Sequence, residues 1–202
     1  MFDSRIRRRI QAPLDAVGRR LARAGVSAEA VTWAGFGFGC AAAAGIVAGA
    51  FWAALALIAL NRLADGLDGA VARASAATDR GGFLDITLDF AFYAAVPLSF
   101  AAHDPQANAL AAAALLAGFT VNGVAFLAFA LMAERRPGLA PDRAGKSFAY
   151  VAGLAEGAET IAVFAAFCVF PEWFAPVAFG FAALCAASAA ARIALGARTF
   201  RA

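Results

Sequence analysis

The chain has 202 residues, of which 63% are hydrophobic and only 15% are charged, and it carries a formal net charge of +3. Its mean hydropathy is +0.73. Soluble domains carry about 25% charged residues, so this composition excludes an ordinary soluble protein and indicates an integral membrane protein. Membrane topology and contact with anionic lipids account for the small positive charge, and we expect no nucleic-acid partner.

The first predicted element is a basic segment at residues 1–27. Apolar residues recur at intervals of three or four from Ile6 to Leu21, and arginines lie between them. This pattern predicts an amphipathic juxtamembrane helix on the anionic inner leaflet. Pro13 interrupts the pattern, so a kinked helix, two short helices and one rod are all compatible with it.

Residues 28–202 contain six apolar stretches of about 20 residues, the length that crosses a bilayer as a helix. They cover residues 29–50, 51–72, 82–103, 107–132, 148–170 and 173–196. We therefore predict an all-α integral membrane fold, in which six transmembrane helices form one membrane domain after the juxtamembrane helix.

The cationic residues predict the orientation. All 17 Lys and Arg lie in the amino-terminal segment, between residues 62 and 80, in the loop 133–147 or near the carboxyl end. The turns near residues 50, 104 and 171 contain none. By the positive-inside rule, both termini face the cytoplasm. The expected location is the inner (cytoplasmic) membrane of a bacterium, with multiple passes.

Four aspartates form the most informative pattern in the chain. Asp65 and Asp68 are three residues apart, and Asp85 and Asp89 are four apart, so each pair projects from one face of its helix. A charged group at the centre of a bilayer costs about 2.5–3.5 kcal/mol on insertion scales. A salt-bridge network with nearby arginines is the structural alternative. It would fill the space that small neighbouring residues leave open, so the pattern favours a metal and ligand site at the cytoplasmic membrane face.

The aspartates belong to a longer pattern with eight specified residues over 25 positions. It runs Asp65-x2-Asp68-Gly69-x2-Ala72-Arg73-x7-Gly81-x3-Asp85-x3-Asp89. This pattern resembles the signature of the CDP-alcohol phosphatidyltransferases, the membrane enzymes that make phospholipid head groups, and every specified position is filled. The six predicted spans and the basic juxtamembrane helix are also similar to that family.

The resemblance implies a metal-dependent reaction. Asp65, Asp68 and Asp85 would hold two divalent ions, and Asp89 would both touch a metal and act as the general base on the acceptor hydroxyl. An all-oxygen carboxylate set suits hard cations, so Mg²⁺ or Mn²⁺ is expected.

The resemblance also implies a nucleotide site and a set of partners. Gly69 and Ala72 would make room for the cytidine diphosphate of the donor, and Arg73 and Gly81 would shape the loop that closes on it. The donor would be CDP-diacylglycerol or another CDP-alcohol, the acceptor a small hydroxyl compound, and the released product CMP. Membrane lipids and a second copy in a homodimer are the other implied partners.

Two further groups are candidates for binding the acceptor. Arg143 and Lys146, in a cationic loop, suit a phosphorylated acceptor such as glycerol 3-phosphate or an inositol phosphate. Lys146 follows glycine as in phosphatidylglycerophosphate synthases, but Phe148 stands where those enzymes have a second Lys, which argues against glycerol 3-phosphate. Glu156 and Glu159 lie near mid-bilayer, where they either form interhelical hydrogen bonds or contact acceptor hydroxyls.

Two other functions stay open at this point. The donor could be a soluble CDP-alcohol, as in CDP-choline or CDP-ethanolamine phosphotransferases, with a lipid hydroxyl as acceptor. An ion or proton transporter would also use carboxylates within the membrane. A transporter predicts acids spread through the bilayer, whereas four of the acids in the predicted spans, Asp65, Asp68, Asp85 and Asp89, cluster at one face.

Overall fold

The computed structural model describes residues 3–136 and 157–200. The regular elements in these ranges are α1 (Asp3–Arg23), α2 (Ala28–Val47), α3 (Phe51–Ala74), α4 (Asp79–His103), α5 (Pro105–Glu134), α6 (Gly157–Val169) and α7 (Phe174–Thr199), with a 3-10 turn at Pro171–Trp173. The all-α prediction is confirmed for the described residues. The helices belong to two compact units, one ending at His103 and the other beginning at Asp104.

Four of the described helices are long and apolar enough to cross a membrane, namely α2, α4, α5, and α7 with the 3-10 turn before it. Helix α6 is apolar but has only 13 residues, and the predicted span 148–170 lies partly outside the described residues. Helix α3 carries three charged residues, Arg62, Asp65 and Asp68, in its interior. A multi-pass membrane fold is therefore supported, and the count of six spans stays a prediction.

Helix α1 runs without a break through Pro13, so two separate short helices are excluded. It ends at Arg23, and Gly25 follows with a φ of +82°, which suits a residue without a Cβ. The amide of Val26 then donates to the carbonyl of Leu21 at 3.0 Å. A glycine in this conformation, followed by a hydrogen bond back to the last helical turn, is a common C-terminal cap of a helix.

Helix α2 packs against α3 and α4 through small residues spaced three or four apart. A Cβ at Gly35 would lie 3.0 Å from the Cβ of Ala64, and one at Gly39 would lie 2.8 Å from the ring of Phe92. Because both glycines lack a side chain, α2 approaches its neighbours closely, as small residues permit in membrane bundles. This close approach brings Thr32 of α2 to the aspartates of α3.

The second unit has a similar small-residue contact between α5 and α7. The position of a Cβ at Gly118 lies 3.2 Å from both the carbonyl oxygen of Ala182 and the Cβ of Cys185. Next to this contact, the ring of Phe119 meets the rings of Phe164 and Phe181 edge-on, with centroids 6.1 and 6.0 Å away. Small residues and aromatic rings thus pack this part of the second unit.

Candidate active site

One pocket in the first unit gathers all four of the predicted aspartates. Asp65 and Asp68 reach it from α3, and Asp85 and Asp89 reach it from α4. The rest of its wall consists of Thr32, Gly35, Phe36, Asn61, Arg62 and Leu88. The open volume between these side chains is about 20 Å³, close to that of a single water-sized probe.

Arg62 is the cation of this pocket. Its Nη2 donates to Oδ1 of Asp89 at 2.6 Å, its Nη1 lies 3.4 Å from Oδ2 of Asp89, and the same Nη1 is 3.6 Å from Oδ2 of Asp65. Its Nε donates to the Asn61 amide oxygen at 2.8 Å. One guanidinium therefore contacts two of the four carboxylates, in the forked geometry that arginine makes with a carboxylate.

Asp68 has a different partner. It is buried, with 6% of its surface exposed, and its Oδ2 accepts a hydrogen bond of 2.8 Å from the hydroxyl of Thr32. A buried carboxylate is costly unless its oxygens are bonded. The hydroxyl from α2 therefore stabilises an acid of α3 and fixes its direction.

The donor set of the pocket suits a hard cation, because its wall offers carboxylate, amide and hydroxyl oxygens and neither His nor Cys. The described residues nevertheless contain no group of three acidic, His or Cys side chains close enough to hold an ion together. The physical reason lies in the partners: Arg62 stands between Asp65 and Asp89, and Asp68 turns to Thr32.

A second cavity adjoins the first and has a volume of about 170 Å³. Three residues predicted for nucleotide binding, Gly69, Ala72 and Gly81, line it. Its wall also includes Thr32, Asp68 and Asp85, which the acidic pocket shares. Three of the predicted nucleotide-binding residues and the predicted metal ligands thus line two cavities that share part of their walls.

The turn between α3 and α4 is shaped by hydrogen bonds at its far end. The hydroxyl of Thr78 accepts from the amide of Gly81 at 2.9 Å and so caps the start of α4. Glu29 of α2 lies 3.4 Å from that hydroxyl and 3.3 Å from Nη1 of Arg80. These contacts hold the turn beside the second cavity.

Comparison with known proteins decides the family. A model described as CDP-alcohol phosphatidyltransferase matches residues 26–194. The chain belongs to the CDP-alcohol phosphatidyltransferase family. It is therefore a transferase, and this family serves phospholipid synthesis in membranes.

Two known proteins are similar to this chain in sequence. The inner membrane protein YnjF of Escherichia coli is 46% identical over 185 residues, which cover 92% of this chain and 90% of that protein. The archaetidylinositol phosphate synthase of Methanothermobacter thermautotrophicus is 43% identical over 77 residues, 38% of each chain. No solved structure matches the sequence significantly.

Arg73 of the transferase signature lines neither of the two cavities. Its Nη2 donates to Oδ1 of Asp15 on α1 at 2.7 Å, and 52% of its side chain is exposed. Its Nη1 would lie 3.2 Å from a Cβ placed on Gly69. The arginine therefore connects α1 to the edge of the second cavity.

Three of the residues predicted to bind the transferase's acceptor, Arg143, Lys146 and Glu156, lie outside the described residues. Glu159 is exposed in the first turn of α6. Asn122 of α5 accepts a hydrogen bond of 2.7 Å from Nη1 of Arg192 of α7. The acceptor residues therefore remain predictions.

Sequence reasoning missed Thr32 and Asn61 at this transferase site, and it considered Arg62 only as part of a structural salt-bridge network. Thr32 is 36 residues away from Asp68, and no spacing rule connects them. Asn61 and Arg62 did leave a signal, because two adjacent polar residues in an apolar helix require partners. Asn61 finds its partner in the carbonyl of Gly35, 2.8 Å away.

Proposed function

We propose that this chain transfers a phosphatidyl group from CDP-diacylglycerol to a small hydroxyl acceptor and releases CMP. The observation that carries the proposal is the placement of the signature residues. Four carboxylates line one pocket, and Gly69, Ala72 and Gly81 line the cavity beside it. Membership of the family supplies the reaction class.

The two cavities suit the two parts of a CDP donor. The second cavity is bordered by glycine and alanine, so a nucleotide can approach the backbone of α3 and α4 closely. Asp68 and Asp85 line both cavities, so a pyrophosphate bound beside them would lie next to the acidic pocket. An anionic pyrophosphate beside four acids requires counter-charge, which supports divalent cations at this position.

Asp65, Asp68, Asp85 and Asp89 would hold the cations, and the oxygen-only donor set fits Mg²⁺ or Mn²⁺. The chemistry that two bound ions supply is neutralisation of the pyrophosphate and stabilisation of the leaving CMP. The protein positions donor and acceptor for in-line attack. Asp89 accepts the proton of the acceptor hydroxyl as the new phosphodiester bond forms.

We propose glycerol 3-phosphate or an inositol phosphate as the acceptor. The partial similarity to a protein named archaetidylinositol phosphate synthase supports an inositol phosphate. A phosphorylated acceptor also agrees with the cationic residues Arg143 and Lys146, because an arginine fork binds phosphate in two places and a lysine adds a point charge.

The proposed setting is a multi-pass protein of a bacterial inner membrane, with six spans and with both termini and the active site in the cytoplasm. Similarity to an inner membrane protein of Escherichia coli and the distribution of arginines support this arrangement. A homodimer is part of the proposal and rests on the family resemblance.

An acceptor screen tests the proposal. Purified protein in lipid nanodiscs is mixed with CDP-diacylglycerol, Mg²⁺ or Mn²⁺, and one of four acceptors: inositol phosphate, glycerol 3-phosphate, inositol or serine. We expect a new phosphodiester lipid and equimolar CMP with one of the two phosphorylated acceptors. Production of the lipid only from CDP-choline or CDP-ethanolamine and diacylglycerol would replace the proposed donor with a soluble CDP-alcohol.

A further inference from the structure

The contacts of Arg62 conflict with two tasks proposed for Asp89. Arg62 lies near both carboxylate oxygens of Asp89, at 2.6 and 3.4 Å. A cation bound by Asp89 needs at least one of these oxygens, and so does a proton taken from the acceptor. The guanidinium and a bound cation would therefore share the Asp89 carboxylate, and their positive charges would repel each other at that short separation.

The surroundings of Arg62 give it a place to remain after such an exchange. Its guanidinium carbon lies 5.2 Å from the ring centre of Phe92 and 5.6 Å from that of Tyr93, distances at which a cation is attracted to an aromatic face. Its Nε is held by Asn61. The guanidinium therefore has contacts besides Asp89 that can hold it near the pocket when that bond opens.

We infer that Arg62 is a positioning residue that competes with a divalent cation for Asp89. In this arrangement the guanidinium keeps Asp89 and Asp65 from repelling each other, and it would have to move away from Asp89 for that carboxylate to hold a cation. The inference rests on the proposed function, because it requires that these carboxylates bind a divalent cation. A purely structural role for Arg62 makes the opposite prediction, because loss of the residue would then weaken cation binding.

The test measures Mn²⁺ binding directly. Mn²⁺ is titrated into the purified full-length chain in detergent, and electron paramagnetic resonance gives the concentration of Mn²⁺ that stays free. We expect Arg62→Gln to bind Mn²⁺ about tenfold more tightly than the wild type, because a nearby positive charge has been removed. Arg62→Lys keeps the charge and is expected to bind like the wild type. A gain in affinity cannot come from damage to the fold.

The matched control is Arg80→Gln, which removes the same charge from the same region. Arg80 is exposed and pairs with Glu29, so Mn²⁺ affinity should not change. If Arg62→Gln is not recovered folded, Arg62→Met serves instead, since its unbranched apolar chain fills the space between Phe92 and Tyr93.

The outcomes separate the two proposals. Equal or weaker Mn²⁺ binding by the neutral Arg62 variants, with the wild type binding Mn²⁺, would overturn the competition and leave the proposed transferase mechanism standing. A wild-type chain that binds no Mn²⁺ would overturn both.

Discussion

At the scale of single residues, the spacing of the aspartates predicted their grouping correctly. Residues three or four apart share a helix face, and Asp65, Asp68, Asp85 and Asp89 do line one pocket. The sequence could not predict which partner each acid takes. Thr32 reaches Asp68 only because α2 packs closely on α3, and that packing depends on contacts far apart in the chain.

Gly69 allows a direct test of the nucleotide cavity. We expect Gly69→Leu to weaken binding of CDP-diacylglycerol by at least about tenfold, or about 1.4 kcal/mol, because the new side chain fills part of the cavity. Folding should be preserved, since the nearest atom to a Cβ here is the mobile tip of Arg73 at 3.2 Å. Equilibrium binding of the labelled donor measures the effect.

Gly37→Leu is the control for that change. Gly37 is an exposed glycine of α2, and no atom lies within 4 Å of a Cβ built there. It should bind the donor like the wild type. Equal binding by Gly69→Leu and Gly37→Leu would mean that the cavity beside Gly69 does not hold the nucleotide.

At the scale of elements, the sequence predicted the juxtamembrane helix but not how it is held. Gly18 of α1 packs directly on α3, where a Cβ would lie 2.7 Å from the Cβ of Ala70 and 2.8 Å from its carbonyl carbon. Leu14 covers Gly66 in the same way, with 3.1 Å to a Cβ there. An amphipathic pattern indicates which face is apolar, and it cannot distinguish a helix that lies on lipid from one that packs on another helix.

This contact leads to a comparison of two variants of α1. Gly18→Leu should destabilise the docked helix by about 1–3 kcal/mol, since overpacking against backbone atoms cannot be relieved easily. Asp15→Ala should cost no more than about 1 kcal/mol, because its pair with Arg73 is half exposed. Thermal unfolding in detergent, followed by circular dichroism, ranks the two.

Gly37→Leu again provides the reference for a leucine placed where space is open. The ranking would be contradicted if Asp15→Ala lowered the unfolding temperature more than Gly18→Leu. In that case the ion pair, and not the close packing at Gly18, would hold α1 on α3.

At the scale of the whole molecule, composition was sufficient to predict an all-α membrane protein, and the described helices agree. The number of spans depends on two elements that composition treats ambiguously. Helix α3 is long enough but carries charges at the site, and the fifth predicted span, at residues 148–170, lies partly outside the described residues. The charged residues in the interior of α3 line the acidic pocket, and they reduce the hydropathy by which a span is identified.

Cysteine labelling of spheroplasts tests the predicted topology. In a chain whose native cysteines are replaced by alanine, a membrane-impermeant maleimide should label Ala50→Cys, Gln106→Cys and Glu172→Cys from outside. Arg80→Cys and Arg135→Cys should react only after the membrane is permeabilised. Opposite sides for positions 50 and 80 show that α3 crosses, and opposite sides for 135 and 172 show that the fifth span crosses. Any other pattern would contradict six spans.

In the proposed reaction, the four aspartates support transfer of a phosphatidyl group from a CDP-linked lipid. The most direct measurement is Mg²⁺-dependent CMP release from CDP-diacylglycerol by wild type, Asp89→Asn and Asp79→Asn. Asp79 is an exposed acid at the start of α4, outside both cavities, so its variant controls for loss of a nearby charge. We expect the wild type and Asp79→Asn to release CMP, and a chelator to stop that release. In Asp89→Asn the rate of CMP release should fall by about 100-fold or more, which is the range of general-base catalysis. Equal release by Asp89→Asn and wild type would contradict the account.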